Sequence, residues 1–229
     1  MFRRHFLAAA AAVASARRQP GAQRGRLLLP TDTPDELGFR IMWYNPVPPI
    51  DKQTYRLQVT GLVERPRQYS AEALGEFPRF EQSTRLKCVQ CWSARTTWGG
   101  FRFQEIVDQV KPHAKATAVR IDCADKWYEY MSLDEMVEPG VMLCTEMAGK
   151  PLSDQHGAPL RLLAPSKYGY KSAKLITKIT FVEEGGGSMA CDIGPYYSPT
   201  GEILAGYDHP LDLGPRERRK IPGGEILDY

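Results

Sequence analysis

Apolar and polar residues alternate along Tyr55-Arg56-Leu57-Gln58-Val59-Thr60-Gly61-Leu62-Val63, a period of two that predicts a strand with one buried face. The same period returns at Gln82 to Cys88, Val119 to Cys123, Trp127 to Met131 and Lys174 to Val182, and Val141 to Met147 reads as a strand buried on both faces. Helical spacing is rarer. Between Phe101 and Val110 the apolar residues fall at 103, 106, 107 and 110. Ser70 is placed to cap a short helix through Leu74, with Ala71 and Glu72 in its first turn, and Leu133 to Val137 reads as one further helical turn. Many strands broken by short helices predict an α+β fold with mixed β-sheets.

Between these elements the chain is punctuated. Asn45, Pro46, Pro48 and Pro49 forbid a helix after Trp43-Tyr44. The pair Gly99-Gly100 predicts a turn, and Glu183-Glu184-Gly185-Gly186-Gly187-Ser188 a flexible break. The expected organisation is an export signal over 1–16, an extended arm over 17–38 rich in Arg, Gly, Pro and Thr, and one domain over 39–184. A tail over 185–229 then wraps that domain or meets a partner.

Composition changes the picture mainly at the N-terminus. Arg3-Arg4-His5-Phe6-Leu7 precedes an apolar run from Ala8 to Ala14, with Ala14-Ser15-Ala16 behind it. This is the layout of an export signal, and it is shorter than the ~20 apolar residues a membrane span needs. Twin arginine followed by x-Phe-Leu is similar to the signals of the twin-arginine route, which carries folded proteins to the periplasm. No transmembrane segment is expected in the mature chain. The formal charge of the 229 residues is +3 and falls towards zero without the leader, so nothing asks for nucleic acid. The four histidines are scattered, with no pair at helical metal spacing. An oxidising compartment allows disulfides, but five cysteines cannot all pair with one another. How Cys91, Cys123, Cys144 and Cys191 pair is not readable from spacing.

Candidate chemistry centres on Cys88. A thiol at the end of a core strand, followed by a loop, can face a pocket, and thiolate is a soft ligand suited to transition metals. By spacing alone, Cys88-x-x-Cys91 also suits a redox dithiol, half a zinc site or an inert buried pair. The flanking residues go further. Cys88-Val89-Gln90-Cys91-Trp92-Ser93, with Trp98 and Gly100-Phe101 behind it, resembles the molybdenum-ligand segment of the sulfite oxidase superfamily. Within it, the similarity is to periplasmic protein-methionine-sulfoxide reductase catalytic subunits. Three further stretches carry the resemblance: Met42-Trp43-Tyr44 with the Val47-Pro48-Pro49-Ile50-Asp51 run, His156-Gly157-Ala158-Pro159-Leu160-Arg161, and Pro165-Ser166-Lys167-Tyr168-Gly169-Tyr170-Lys171-Ser172-Ala173-Lys174-Leu175-Ile176.

The resemblance implies a sulfite-oxidase-type molybdopterin-binding fold without a C-terminal dimerisation domain, and a molybdenum-molybdopterin cofactor. It implies Cys88 as catalytic metal ligand. Met42, Trp43, Tyr44, Cys123, Asp125, His156, Arg161, Ser172, Ala173 and Lys174 become cofactor-binding residues, the last three as a backbone and ammonium cradle for the cofactor phosphate. The reaction implied is oxygen-atom transfer on a sulfoxide, N-oxide or related small or peptide-borne substrate. Where sulfite oxidases carry arginines, this chain has Trp92 and Ser93, which suits a neutral organic substrate better than a dianion. His156 leans the other way, and Arg95 is near enough in sequence to aim inward. A sulfite dehydrogenase-like enzyme and a non-catalytic exported binding module are the alternatives. No haem, flavin or iron–sulfur motif is visible, so electrons are expected to come from a separate protein, a membrane or c-type cytochrome.

Overall fold

The computed structural model describes residues 27–31, 33–89, 93–194, 197–203, 207–208 and 219–220. The predicted signal, the first part of the arm, Cys91, Trp92 and most of the tail beyond 203 lie outside the described residues.

Strand β1 (Arg56–Gly61) turns Leu57 and Val59 fully into the core while Arg56 and Gln58 face out, as its alternation predicts. It pairs antiparallel with β2 (Arg67–Ser70), which leads into α1 (Ala71–Leu74), where the Ser70 hydroxyl accepts the Ala73 N–H at 3.2 Å. Strands β3 (Phe80–Lys87) and β4 (Ser93–Arg102) form a long hairpin across the Cys88 loop, and α2 (Phe103–Val110) follows, burying Phe103, Ile106 and Val110. A second hairpin joins β5 (Ala118–Cys123) to β6 (Tyr128–Ser132). Ser132 and Glu135 close a capping box on α3 (Leu133–Met136). Then come β7 (Met142–Met147), β8 (Lys150–Pro151), β9 (Arg161–Leu163) and β10 (Ile176–Val182). The last pieces are α4 (Met189–Ile193) and a small ribbon of β11 (Tyr207–Asp208) with β12 (Arg219–Lys220). Among the described residues no helix is long and apolar enough to cross a membrane.

Two sheets result. One has the order β2-β1-β10-β5-β6, with β1 and β10 parallel and the other pairs antiparallel. The other runs β3-β4-β7-β8, with β9 added on β7. The main core gathers Leu57, Val59, Val119, Ile121, Ile179 and Phe181 of the first sheet with α2 and with Leu143 and Leu162 of the second. A smaller core around Trp98, Met142 and Phe39 supports the β3–β4 hairpin. The arm is tied down where it is described, through backbone bridges Leu28–Val47 and Thr31–Ile41.

The glycine pair does not make a turn. Gly99 and Gly100 lie inside β4, and the register against β7 shifts between them. A Cβ on Gly100 would stand 2.1 Å from the Leu143 carbonyl oxygen and 2.8 Å from the Cys144 Cα. Glycine is there because a neighbouring backbone passes too close for a side chain, at a bulge. Gly100→Ala is therefore expected to lower stability by about 1–3 kcal/mol through overpacking, read as a lower midpoint in thermal unfolding followed by circular dichroism.

Candidate active site

A cavity of about 540 Å³ opens between the loop 39–44, the end of β3, the turn after β5 and the two loops that flank β9. That volume is within the range of sites for drug-sized molecules. Its wall includes Met42, Trp43, Tyr44, Cys88, Asp125, His156, Arg161, Ser172, Ala173 and Lys174, brought together from stretches far apart in sequence.

Cys88 follows the buried Leu86 and Lys87 directly, so its place is set by the last strand residues. Lys87 forms a parallel bridge to Tyr168, which seats the third motif on the strand end. The second motif is seated by a 3₁₀ turn, Asp154–His156, ending at Gly157 with φ +100°. A Cβ on Gly157 would come 2.8 Å from the Lys174 Cβ, so this glycine gives Lys174 its room.

Two cations dominate the floor. Arg161 is buried; its Nη1 donates to the His156 carbonyl at 3.1 Å, its Cζ lies 4.8 Å from the Trp98 ring centroid, and its Nε has no partner. Burial holds its guanidinium down at about 10. The Lys174 ammonium donates to the Met42 carbonyl at 2.6 Å and sits 3.6 Å from the Trp43 ring centroid. It lines the cavity. Burial first, then the Arg161 charge, push it down to about 7. Neither cation has a carboxylate within salt-bridge distance among the described residues, and the Arg161 charge disfavours that of Lys174. A planar anionic group in the cavity would relieve both and would satisfy the orphaned Nε.

Asp125 accepts N–H bonds from Trp127 at 3.1 Å and Tyr44 at 3.4 Å, and its main-chain oxygen accepts from Asn45 at 2.8 Å. It thus fixes the aromatic loop against the β5 exit, and burial raises its carboxyl pKa. His156 Nε2 lies 2.8 Å from Asp35 Oδ2, while Asp35 Oδ1 accepts the N–H groups of Leu37 and Phe39. Burial and then Arg161 lower the imidazole pKa. Asp35 belongs to the arm, and no local pattern in the sequence singled it out.

Several of the expected site residues have groups engaged away from the cavity. The side chain of Cys123 packs in the core with Val119 and Ile121 rather than on the cavity wall, because the period-two alternation of β5 puts all three on the inner face. Burial raises its thiol pKa further. The backbone cradle at Ser172 and Ala173 is already engaged: their N–H groups bond to Gly169 and Lys171 carbonyls, and the Ser172 hydroxyl accepts from Ala164 N–H. Of that trio, only the Lys174 ammonium projects a charge into the cavity. Arg95 does not aim inward; its Nη1 donates to the Ser83 carbonyl at 3.3 Å and it is not part of the wall. The other motif lysines do different work. Lys167 bonds Glu135 at 2.5 Å and Glu202 at 2.8 Å, and Lys171 is wholly buried against Glu129 at 2.6 Å. Cys123, Cys144 and Cys191 carry free thiols.

The model of the oxidoreductase molybdopterin-binding domain matches residues 44–189. The chain is similar to protein-methionine-sulfoxide reductase catalytic subunits MsrP. With that of Campylobacter jejuni it is 33% identical over 149 aligned residues, covering 58% of this chain and 50% of the relative. With that of Ralstonia nicotianae it is 35% identical over 146, covering 57% and 44%. With that of Pseudomonas syringae pv. tomato it is 31% identical over 194, covering 75% and 56%. The chain thus spans about half the length of the curated relatives it matches. Among solved structures, the sulfane dehydrogenase SoxCD of Paracoccus pantotrophus superposes with a TM-score of 0.56 at 20% identity, over 59% of this chain and 40% of that one. That likeness is one of fold.

Proposed function

From the premise that this chain belongs to the oxidoreductase molybdopterin-binding domain family, we propose that it is a molybdenum-dependent reductase of sulfoxides. The observation that carries this reading is the convergence of Cys88, Arg161 and Lys174 on one cavity, with Arg161 Nε orphaned and, among the described residues, neither cation in an ion pair, Asp125 acting on Lys174 only at a distance. A thiolate, two cations and flat aromatic rings are a donor set that fits a dithiolene pterin bearing a phosphate.

The bound cofactor supplies a centre that takes up one oxygen atom while two electrons and two protons convert the sulfoxide to sulfide and water. Cys88 Sγ would be the protein's ligand to the metal. The Arg161 fork and the Lys174 ammonium would hold the anionic organic carrier. Trp43 and Tyr44 would cover it, and Asp125 fixes that loop in place through the Tyr44 N–H. Arg95 is turned away from the cavity, which favours a neutral substrate over sulfite. The names of the matched relatives support methionine sulfoxide as the substrate class. A separate redox protein delivers the electrons.

The test is the purified protein from a host that makes the cofactor. About one molybdenum per chain and turnover of a sulfoxide with a reduced viologen donor are expected. Metal-free protein from such a host overturns the reading.

Export by the twin-arginine route belongs to the same reading, since a cofactor made in the cytoplasm has to be loaded before transport. Arg3→Lys with Arg4→Lys is expected to leave most of the folded, molybdenum-loaded protein in the cytoplasm, measured by fractionation. Undiminished export of the double variant contradicts that route.

A further inference from the structure

Three exposed apolar side chains stand around the mouth of the Cys88 cavity: Met42 at 44% exposure, Tyr44 at 42% and Ile193 at 53%. Scattered exposed apolar residues are ordinary, whereas a cluster around the opening of a cavity with a cationic floor marks a contact site. Tyr197, four residues on, lines the same cavity. Met42 precedes the family-matched segment 44–189, and Ile193 and Tyr197 follow it, so this part of the mouth is built by residues outside the shared domain.

The segment carrying Ile193 is held firmly. The Ser188 hydroxyl caps α4 by accepting the Ala190 N–H at 3.1 Å and donates to the buried Glu129 at 2.7 Å. The Tyr128 hydroxyl bonds Asp192. Beyond the mouth, the Tyr170 hydroxyl donates to the Ser198 carbonyl at 2.8 Å, and the Lys171 ammonium to the Pro199 carbonyl at 2.8 Å. A buried ion pair and a helix cap thus hold a half-exposed isoleucine at the cavity entrance. Fixed position is what turns an apolar side chain from incidental surface into a wall.

We infer that Ile193, with Tyr197 beside it, is a specificity-determining wall that selects sulfoxides bearing an apolar substituent, aryl or long alkyl, over small hydrophilic ones. This rests on the reductase reading and adds a preference among sulfoxides that the relatives' names do not give. The oxygen-bearing sulfur enters towards Cys88 while the substituent stays against Ile193. Arg40 is the exposed charge in the wall. One apolar contact of this kind discriminates by 10–200-fold in a closed pocket. At a half-exposed rim the lower end, about tenfold, is expected.

The holoenzyme is assayed with methyl phenyl sulfoxide and with dimethyl sulfoxide, using a reduced viologen donor. Ile193→Asn is expected to raise KM for the aryl substrate about tenfold while leaving kcat, molybdenum content and the dimethyl sulfoxide constants unchanged. Ile193→Val should stay within about twofold. An equal change on both substrates, or none on either, overturns the inference. If the loaded protein reduces neither sulfoxide, the reductase reading falls, and the wall is then judged by equilibrium binding. Methyl phenyl sulfoxide should quench the emission of Trp43 and Trp127, which line the cavity, and its binding should weaken about tenfold in Ile193→Asn. Unchanged binding overturns the wall.

Discussion

Cys88→Ser should yield folded protein that has lost its molybdenum and its sulfoxide turnover together. Serine keeps the size of the side chain but replaces a soft, readily ionised sulfur by a hydroxyl that stays protonated at neutral pH. A bound metal strips the proton from a coordinating thiol outright, and thiolate suits a soft redox metal where a neutral hydroxyl does not. Partners that merely orient a metal ligand cost 10–100-fold when mutated, so loss of the ligand itself should exceed about 100-fold in turnover. The fold should survive, because Cys88 lies past the last β3 residue and its neighbours Leu86 and Lys87 supply the packing. The check is metal content by elemental analysis beside the thermal midpoint of cofactor-free protein, which should match the parent. Cys91→Ser separates this from thiol–disulfide chemistry. A dithiol needs both sulfurs, whereas a metal ligand needs one, so that variant should keep molybdenum and turnover within about twofold. Equal loss from both variants would return the site to the dithiol reading.

The strands and the capped helices were legible because their signals are local. Leu57 and Val59 alternate with polar residues, and Ser70 stands one residue before the helix it caps, whereas the Ser132 cap on α3 was not read from the sequence. The site was legible at Cys88, Arg161 and Lys174 through resemblance rather than through pattern, and no periodicity connects those three. What misled was local punctuation read without its neighbours. Gly99-Gly100 looks like a turn until β7 is laid against β4 and occupies the space of a side chain. Cys123 looked like a wall residue by position, although the alternation Val119, Ile121, Cys123 already placed it on the inner face. Asp35 had no signal at all. Its partner His156 is brought to it by folding of the arm over the second motif, and a lone aspartate in a loop looks the same whether or not a histidine waits for it.

The lysines of the third motif show the same limit, and they carry the largest stability effect expected in the molecule. Lys171 and Lys174 sit three residues apart, yet one is a core anchor and the other lines the cavity. The Lys171 ammonium bonds Glu129, the Tyr130 carbonyl and the Pro199 carbonyl, at 2.6, 2.6 and 2.8 Å, and Glu129 is 0% exposed. Lys171→Met fits the volume but strands a carboxylate with only Ser188 and the Tyr130 N–H as donors. Breaking a buried pair from one side costs about 3–5 kcal/mol, against a total stability of about 5–15. At about 2–4 °C per kcal/mol for a chain of this size, the thermal midpoint should fall by roughly 6–20 °C. Burial already pushes the Glu129 carboxyl up, and Lys171 is what opposes it. In the variant the folded-state pKa rises further above the unfolded value, near 4.5. The native state then holds the extra proton, so stability falls as pH climbs from that value through the raised pKa. The deficit should therefore be smallest in mild acid and grow towards neutrality, which a packing defect alone would not do. Adding Glu129→Gln removes the stranded charge and should recover more than half of the loss and flatten the pH slope. The segment 197–203 loses its Pro199 anchor in either variant, so Tyr197 in the wall should loosen even where the fold is restored. An aryl sulfoxide KM that rises in the double variant while dimethyl sulfoxide turnover holds would tie the buried pair to the shape of the mouth.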